Sequence, residues 1–499
     1  MSTLEQPMSS MSVSSTKLNT PELDWSAKSL SHSQKSYSKI NVINGVSNGT
    51  LSASTQGAFS FQIPAKVLSL KDSYVSMDLA IATSTTTCSF IAGNLGNIFS
   101  RIVCTADNNA VLFDINDFHR FNSMLCAPSM KFETLGQECA PALSYLPFGA
   151  TASTIAQRNP FNVLVKNSRD FAVDGAGDGI ITNNAFNLTP IDRFTGGTTL
   201  VHQANSNPNS YRHFIQKASA TAGVSAYSLQ FRLKDLLPHT ICSLEQLLYF
   251  GGSQLQFDFY INATDFVGVL QGTLNGITST ASLPATTFSN FQFNLCVENN
   301  VNTINAVVNK IKSEGLTVPI PYVYGSKTSI TSGTSHSVNQ VITRSAGEKL
   351  KWVAWSPFYN GAEKDLLNSH TLINCTVVAG QGTYTNIFSS YNTTLDNIFI
   401  KSQSTIDCTK GEHWLYNKNE LKGSALQGIE LHSNDFVHVD SWIGKPLCEY
   451  DPSVSDGLAI TENHTWGVTA TTVVESLQHY IYYCMERKLV IGNFSVQVI

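Results

Sequence analysis

Over most of the chain, apolar and polar residues alternate with a period of two. Ile40 and Val42 alternate with Lys39 and Asn41. Phe59, Phe61 and Ile63 alternate with Ser60 and Gln62, and Val75, Met77, Leu79 and Ile81 with Ser76, Asp78 and Ala80. Successive side chains of a strand point to opposite faces, so each run predicts a strand with one buried face. In SRIVCTADNNAVLFDIND two apolar runs are joined by Ala106-Asp107-Asn108-Asn109, which predicts a β-hairpin. Asn116 is placed to cap a short helix, DFHRFNSMLCA, that stops before Pro128.

Leu229, Phe231 and Leu233 form a further strand face, as do Leu255, Phe257, Phe259 and Ile261. Between them, Asp235 to Phe250 predicts a turn and a short helix ended by Gly251-Gly252. Phe291, Phe293, Leu295 and Val297 make another strand, and then the period changes. In VNTINAVVNKIKSEG, residues Val301, Ile304, Val308 and Ile311 lie on one helical stripe; Asn300 or Asn302 caps its start and Gly315 ends it. From Leu316 the strand pattern resumes in VPIPYVYGSKTSI, SHSVNQVIT, EKLKWVAWSPF, HTLINCTVV, LDNIFIKSQS, DFVHVDSWIG and KLVIGNFSVQVI, about eight strands in about 185 residues. No fixed short repeat is present, which excludes a propeller or solenoid.

Two segments lack this periodicity. Residues 1–35 are Ser-rich and predict a flexible N-terminal arm. Residues 129–225 hold QRNP, DGAGDG, TNNAFN, TGG and NSNPNS with few strong strands, and predict an elaborate surface insertion. The organisation is therefore an arm at 1–35, a first β domain at 36–299 carrying the insertion at about 129–225, a connector helix at 300–315 and a second β domain at 316–499. The fold class is all-β. Eight short strands per domain with long loops favour two consecutive jelly rolls, with up-and-down barrels as the competing closure.

Composition agrees. Charged residues make up 13% of the 499 residues, against about 25% in an ordinary soluble protein. Ser, Thr and Asn fill much of the polar remainder and suit turns and strand faces. A net charge of −5 without Lys/Arg clusters argues against nucleic-acid binding over a broad surface. The apolar fraction of 42% excludes a disordered chain. No run reaches the ~18 apolar residues of a membrane span, and the N-terminal residues do not read as a signal peptide. The ten cysteines are scattered without C-x-x-C spacing and are expected to be reduced thiols, not a zinc site or disulfide framework.

The sequence has no G-x-x-x-x-G-K-[ST] and no H-E-x-x-H. Asp174-Gly175-Ala176-Gly177-Asp178-Gly179 lacks the flanking strand and helix of a phosphate loop and the closing Glu of a calcium loop, so it predicts a turn. His432, Asp435, His438 and Asp440 cluster in LHSNDFVHVDSW. His438 and Asp440 share a strand face, where they could bind a metal or exchange protons, although a solvated or hydrogen-bonded strand face is the simpler reading. Trp352, Trp355, Phe358 and Tyr359 could form a sugar-binding platform, although core and edge packing in a β sandwich is the commoner reading of such a stripe. No residue is nominated as catalytic, cofactor-binding or metal-binding.

The order of features resembles that of the double jelly-roll major capsid proteins of polinton-like viruses, virophages and related large DNA viruses of protists. Four segments carry the resemblance: FSFQIPAKVLSLKDSYVSMDLAIA, SRIVCTADNNAVLFDINDFHRFNSML, FRLKDLLPHTICSLEQLLYFGGSQLQFDFYI, and FQFNLCVENN with its helix leading into GLTVPIPYVYG. They cover residues 36–330; the second half agrees in length and strand count. The resemblance implies a homotrimer whose six jelly rolls form a pseudo-hexameric capsomer, strands upright in an icosahedral shell and residues 129–225 as a tower near the threefold axis. It further implies a virion protein made in the host cytoplasm that contacts its own copies, penton and minor capsid proteins, with no cofactor, no catalysis and no specific nucleic-acid binding. The competing classes are a non-enzymatic β-sandwich binding protein, lectin-like or fibre, and an enzyme on a β scaffold. A glycoside hydrolase would need a carboxylate pair about 5–10 Å apart, and no such pair is legible here.

Overall fold

The computed structural model describes residues 34–43, 51–52, 57–83, 90–92, 95–106, 110–131, 215–217, 223–261, 269–270, 273–274, 277–278, 286–331, 333–343, 348–359, 376–377, 384–385, 389–408, 412–424, 437–473 and 477–499. All but the last two residues of the arm, Asp174 to Gly179, His432 and Asp435, and all but the ends of the 129–225 insertion lie outside them; Lys35 already belongs to the first strand.

Eight of the described strands build the two main sheets of the first half: β1 (Lys35–Asn41), β2 (Gly57–Ile63), β3 (Leu68–Thr83), β4 (Phe99–Ala106), β5 (Ala110–Asn116), β6 (Gly223–Arg232), β7 (Leu255–Ile261) and β8 (Thr286–Glu298). They form two antiparallel sheets, ordered β1-β8-β3-β6 and β2-β7-β4-β5. Eight more build the two main sheets of the second half: β9 (Leu316–Ile330), β10 (Gly333–Ile342), β11 (Lys349–Tyr359), β12 (Ser390–Leu395), β13 (Ile398–Phe399), β14 (His438–Ser441), β15 (His464–Val473) and β16 (Leu477–Gly492). Their sheets run β9-β16-β11-β14 and β10-β15-β12-β13, the first arrangement with eight added to every strand number. This is the strand order of a jelly roll, twice. A short β17 (Ser495–Val498) extends the second roll beside β16.

Alternation explains the first sandwich. Phe59 and Phe61 on β2 and Phe257 and Phe259 on β7 face Phe291 and Phe293 on β8, all buried. The rings meet edge to face, Phe59 and Phe291 at 4.7 Å and 85°, Phe61 and Phe291 at 5.1 Å and 90°. Each such ring stabilises the fold by about 1.5–3 kcal/mol through burial, with the edge-to-face geometry adding to it.

Helix α1 (Phe118–Ser129) follows β5 and differs from its sequence expectation at both ends. Asp117, not Asn116, starts it: the Asp117 carbonyl accepts from Arg120 N at 2.8 Å, and Asp117 takes the left-handed conformation (φ 49°) that Asp tolerates better than most residues. The helix also runs through Pro128, which occupies its last turn, where only one internal hydrogen bond is forfeited. The Asp235–Phe250 stretch holds no full helix. A single helical turn, Leu233–Leu236, comes before Pro238; His239 is left-handed (φ 58°), and Thr240 caps a 3-10 turn at Ile241–Ser243.

Helix α2 (Val301–Glu314) stands between β8 and β9. Asn300 Oδ1 accepts from Asn302 N at 3.0 Å and Thr303 N at 3.3 Å, and Gly315 ends the helix at φ 70°. Its buried stripe is Thr303, Val307 and Ile311, with Ile304 and Val308 half-buried on its flank and Val301 exposed. The helix is therefore rotated from the all-apolar stripe, with Thr303 in place of Val301 on the buried face. In the second half β12 and β15 escaped the apolar pattern: along β15, Trp466, Val468 and Ala470 alternate with Thr and Gly, and their partners on β12 are Leu395, Thr393 and Tyr391. The LDNIFIKSQS segment is mostly turn: Asp396 and Asn397, both left-handed, join β12 to the two-residue β13 as a tight hairpin.

Candidate functional site

In the sheet β9-β16-β11-β14 the middle strands β11 and β16 are buried on both faces, and this joins the two rolls. Along β11, Trp352 and Ala354 point into the apolar cluster shared with the first roll, while Val353 and Trp355 point into the interior of the second. On β16, Tyr480, Tyr482 and Cys484 alternate in the same way with Ile481, Tyr483 and Met485. Two-sided burial explains why KWVAW and YIYYCM read as continuous apolar runs. It also removes the sugar platform: Trp352 and Trp355 lie on opposite faces, both fully buried.

The seam is specific as well as apolar. Phe121 of α1 meets the Tyr482 ring edge-on at 5.4 Å, and His239 lies 5.1 Å from the Trp352 ring. His239 Nε2 bonds Ser129 Oγ at 2.7 Å, and burial pushes the imidazole down to about 3, so it is neutral. Phe494 N donates to Gly251 O at 2.7 Å, and Lys327 pairs with Asp117 at 3.3 Å.

Inside the second roll, His438 and Asp440 do share a face of β14, but that face is sealed, and the pair is hydrogen-bonded, not solvated. His438 Nε2 lies 3.0 Å from Asp440 Oδ1, while its Nδ1 lies 2.9 Å from Tyr391 Oη and 3.2 Å from Asn417 Nδ2. Trp466 Nε1 donates to Asp440 Oδ2 at 2.9 Å. Burial lowers the His438 pKa, which keeps the ring neutral; the network then places its proton on Nε2, facing Asp440, and its lone pair on Nδ1. Burial alone would raise the Asp440 carboxyl, but His438, Lys401 and Trp466 hold it below the usual range. Lys401 bridges Glu420 at 3.2 Å and Asp440 at 3.8 Å, tying helix α3 (Glu412–Leu421) to the sheet.

A Tyr–His–Asp chain could pass protons, but no substrate could stand against it: Tyr391, His438, Asp440 and Trp466 are each 0% exposed. Its work is positional, fixing α3 and three strands to one another. The spacing of His438 and Asp440 was legible in the sequence. Tyr391, Asn417 and Trp466 were not, because they come from three separate segments. Among the described residues no group of three or more His, Cys, Asp or Glu side chains is placed to hold a metal ion, and the six described cysteines are free thiols.

No family model and no curated protein matches this sequence. Solved structures do. A chain of the Sputnik virophage structure determined by cryo-EM aligns with a TM-score of 0.51 at 12% identity, over 100% of this chain and 93% of that one. The Faustovirus major capsid protein aligns at 0.48 and 9% identity over 92% of this chain and 91% of its own, and the mavirus major capsid protein at 0.43 and 8% over 93% and 90%. At such identities the likeness is one of fold. Strand order and the superposition on the Sputnik chain together show a double jelly roll, the fold that the sequence resemblance implied.

Proposed function

We propose that this protein is a major capsid protein, a non-enzymatic building block that trimerises into pseudo-hexameric capsomers and assembles an icosahedral shell in the virion. The observation that carries the reading is the repeated strand order with the middle strands of one sheet buried on both faces. A shared core makes the two rolls one rigid unit, and three such units place six similar rolls around an axis. In this reading the domains are an arm at 1–35, rolls at 36–299 and 316–499, and a connector at 300–315. The 129–225 insertion forms the intersubunit tower. The low charge, 13% of residues, limits repulsion among many identical copies. Partners are other copies of the chain, with penton and minor capsid proteins completing the shell. Size-exclusion chromatography with light scattering on the full chain tests the proposal. A stable trimer that forms closed shells under the electron microscope is expected; a monomer at every concentration would overturn it and favour a sandwich-type binding protein.

A further inference from the structure

Lys351 is the extra residue of a β-bulge: the register of β11 against β16 shifts between Leu350 and Trp352, and the lysine between them turns inward. Its side chain is 1% exposed. A buried ammonium is expensive unless it is compensated. Here it faces two carboxylates, Asp456 Oδ1 at 2.8 Å and Glu486 Oε2 at 2.7 Å. The Val454 carbonyl at 3.1 Å and the Asp456 carbonyl also lie within hydrogen-bonding reach of Nζ and share its three donors with the carboxylates.

Both carboxylates are held in place. Glu486 is buried on β16, and its Oε1 accepts from Ser455 Oγ at 2.7 Å. Asp456 sits on a loop pressed onto β11 through Gly457, which is left-handed (φ 113°) and so close that an added Cβ would stand 2.6 Å from Leu350 O. Directly beyond it, Leu458 and Ala459 pair with Leu350 and Lys349. An amine and two carboxylates are thus brought together by three segments, with Lys351 and Glu486 buried and Asp456 30% exposed at the rim. One positive and two negative charges share the site.

We propose that Lys351, Asp456 and Glu486 form a self-modification site that closes an intramolecular isopeptide bond between Lys351 Nζ and Asp456 Cγ. Glu486 accepts a proton from the ammonium, and the freed lone pair attacks the Asp456 carboxyl carbon. The C–N bond forms and a C–O bond breaks as the departing oxygen takes two protons, one returned by Glu486 and one from the attacking nitrogen, and leaves as water. Ammonium and carboxylate become an amide and one water, with charge balanced and no oxidant or activating group consumed. Fixed contact supplies the driving geometry: well-oriented intramolecular partners reach effective molarities of about 10⁵–10⁸ M. Glu486 touches the reacting nitrogen and is the catalytic residue. The bond would staple the 451–457 loop to the sheet that joins the two rolls.

Peptide mass spectrometry on the full-length protein, denatured and digested, tests this. The expected product is a branched peptide joining Lys351 to Asp456, one water lighter than the two linear peptides together, and only linear peptides from Glu486→Gln. Recovery of Lys351 and Asp456 solely in linear peptides from folded wild-type protein would overturn the proposal, leaving a buried ion cluster. Full linkage in Glu486→Gln would overturn the role of Glu486. The readout is indifferent to oligomeric state, so it stands or falls apart from the capsid assignment.

Discussion

Tyr482 donates its hydroxyl to the backbone carbonyl of Asp117 at 3.0 Å, across 365 residues of chain. The strand β16 of the second roll thereby closes the start of α1 in the first, at the left-handed residue where the helix begins. Two jelly rolls could be tethered beads; this contact and the rings around it make them one body.

The same seam contains a glycine with no room for a side chain. Gly251 has φ 64°, and a Cβ there would stand 1.8 Å from the Gly492 carbonyl oxygen. Gly251→Ala therefore meets both backbone strain and a clash with backbone, and should cost about 3 kcal/mol or more, read as a lower melting temperature. Gly333→Ala, with nothing within 4 Å of the new atom, should change it little.

For α2 the structure decides which substitutions matter. Val307 is buried and Val301 is 65% exposed. Val307→Asp places an unpaired charge against the strands and should abolish soluble folded protein, whereas Val301→Asp should be tolerated. Expression yield and circular dichroism of the two variants check this; equal behaviour would mean that the helix does not pack by its Thr303–Val307–Ile311 stripe.

Removing the Asp440 carboxylate leaves His438, Trp466 Nε1 and Lys401 without their common acceptor. Asp440→Ala should destabilise the fold by about 3–5 kcal/mol, as breaking a buried charged network does. Asp440→Asn, which keeps one acceptor oxygen, should cost less. Urea unfolding of both variants gives the comparison.

Acid should weaken the protein through its buried histidines. Burial lowers His239, His413 and His479 to about 3, and also lowers His438. In the unfolded chain each titrates near about 6.5, so below that pH the unfolded state binds more protons. Their contribution is complete above about pH 6.5 and is lost as pH falls toward about 3, by up to about 1.4 kcal/mol per pH unit for each histidine. Urea midpoints should fall steadily between about pH 7 and about pH 5, and His479→Gln should flatten the slope. A flat profile would contradict neutral burial.

What the sequence determined is local. Period-two alternation marked Phe59, Phe61, Phe257 and Phe259 as one buried face, and Asn300 and Gly315 bounded the helix they were expected to bound, because face and cap depend on neighbours a few residues apart. The repeat of strands also indicated two rolls. The tertiary structure alone decided what depends on distant partners. A strand covered on both sides loses its alternation, so Trp352 and Trp355 could not be assigned to separate cores until their neighbours were in place. The Ser- and Thr-rich β12 and β15 became strands through ladders with each other, not through their own apolar pattern. His438 and Asp440 were visible as a pair, but their burial, and the meeting of Lys351, Asp456 and Glu486, required segments up to 135 residues apart in the chain to fold onto the same sheet.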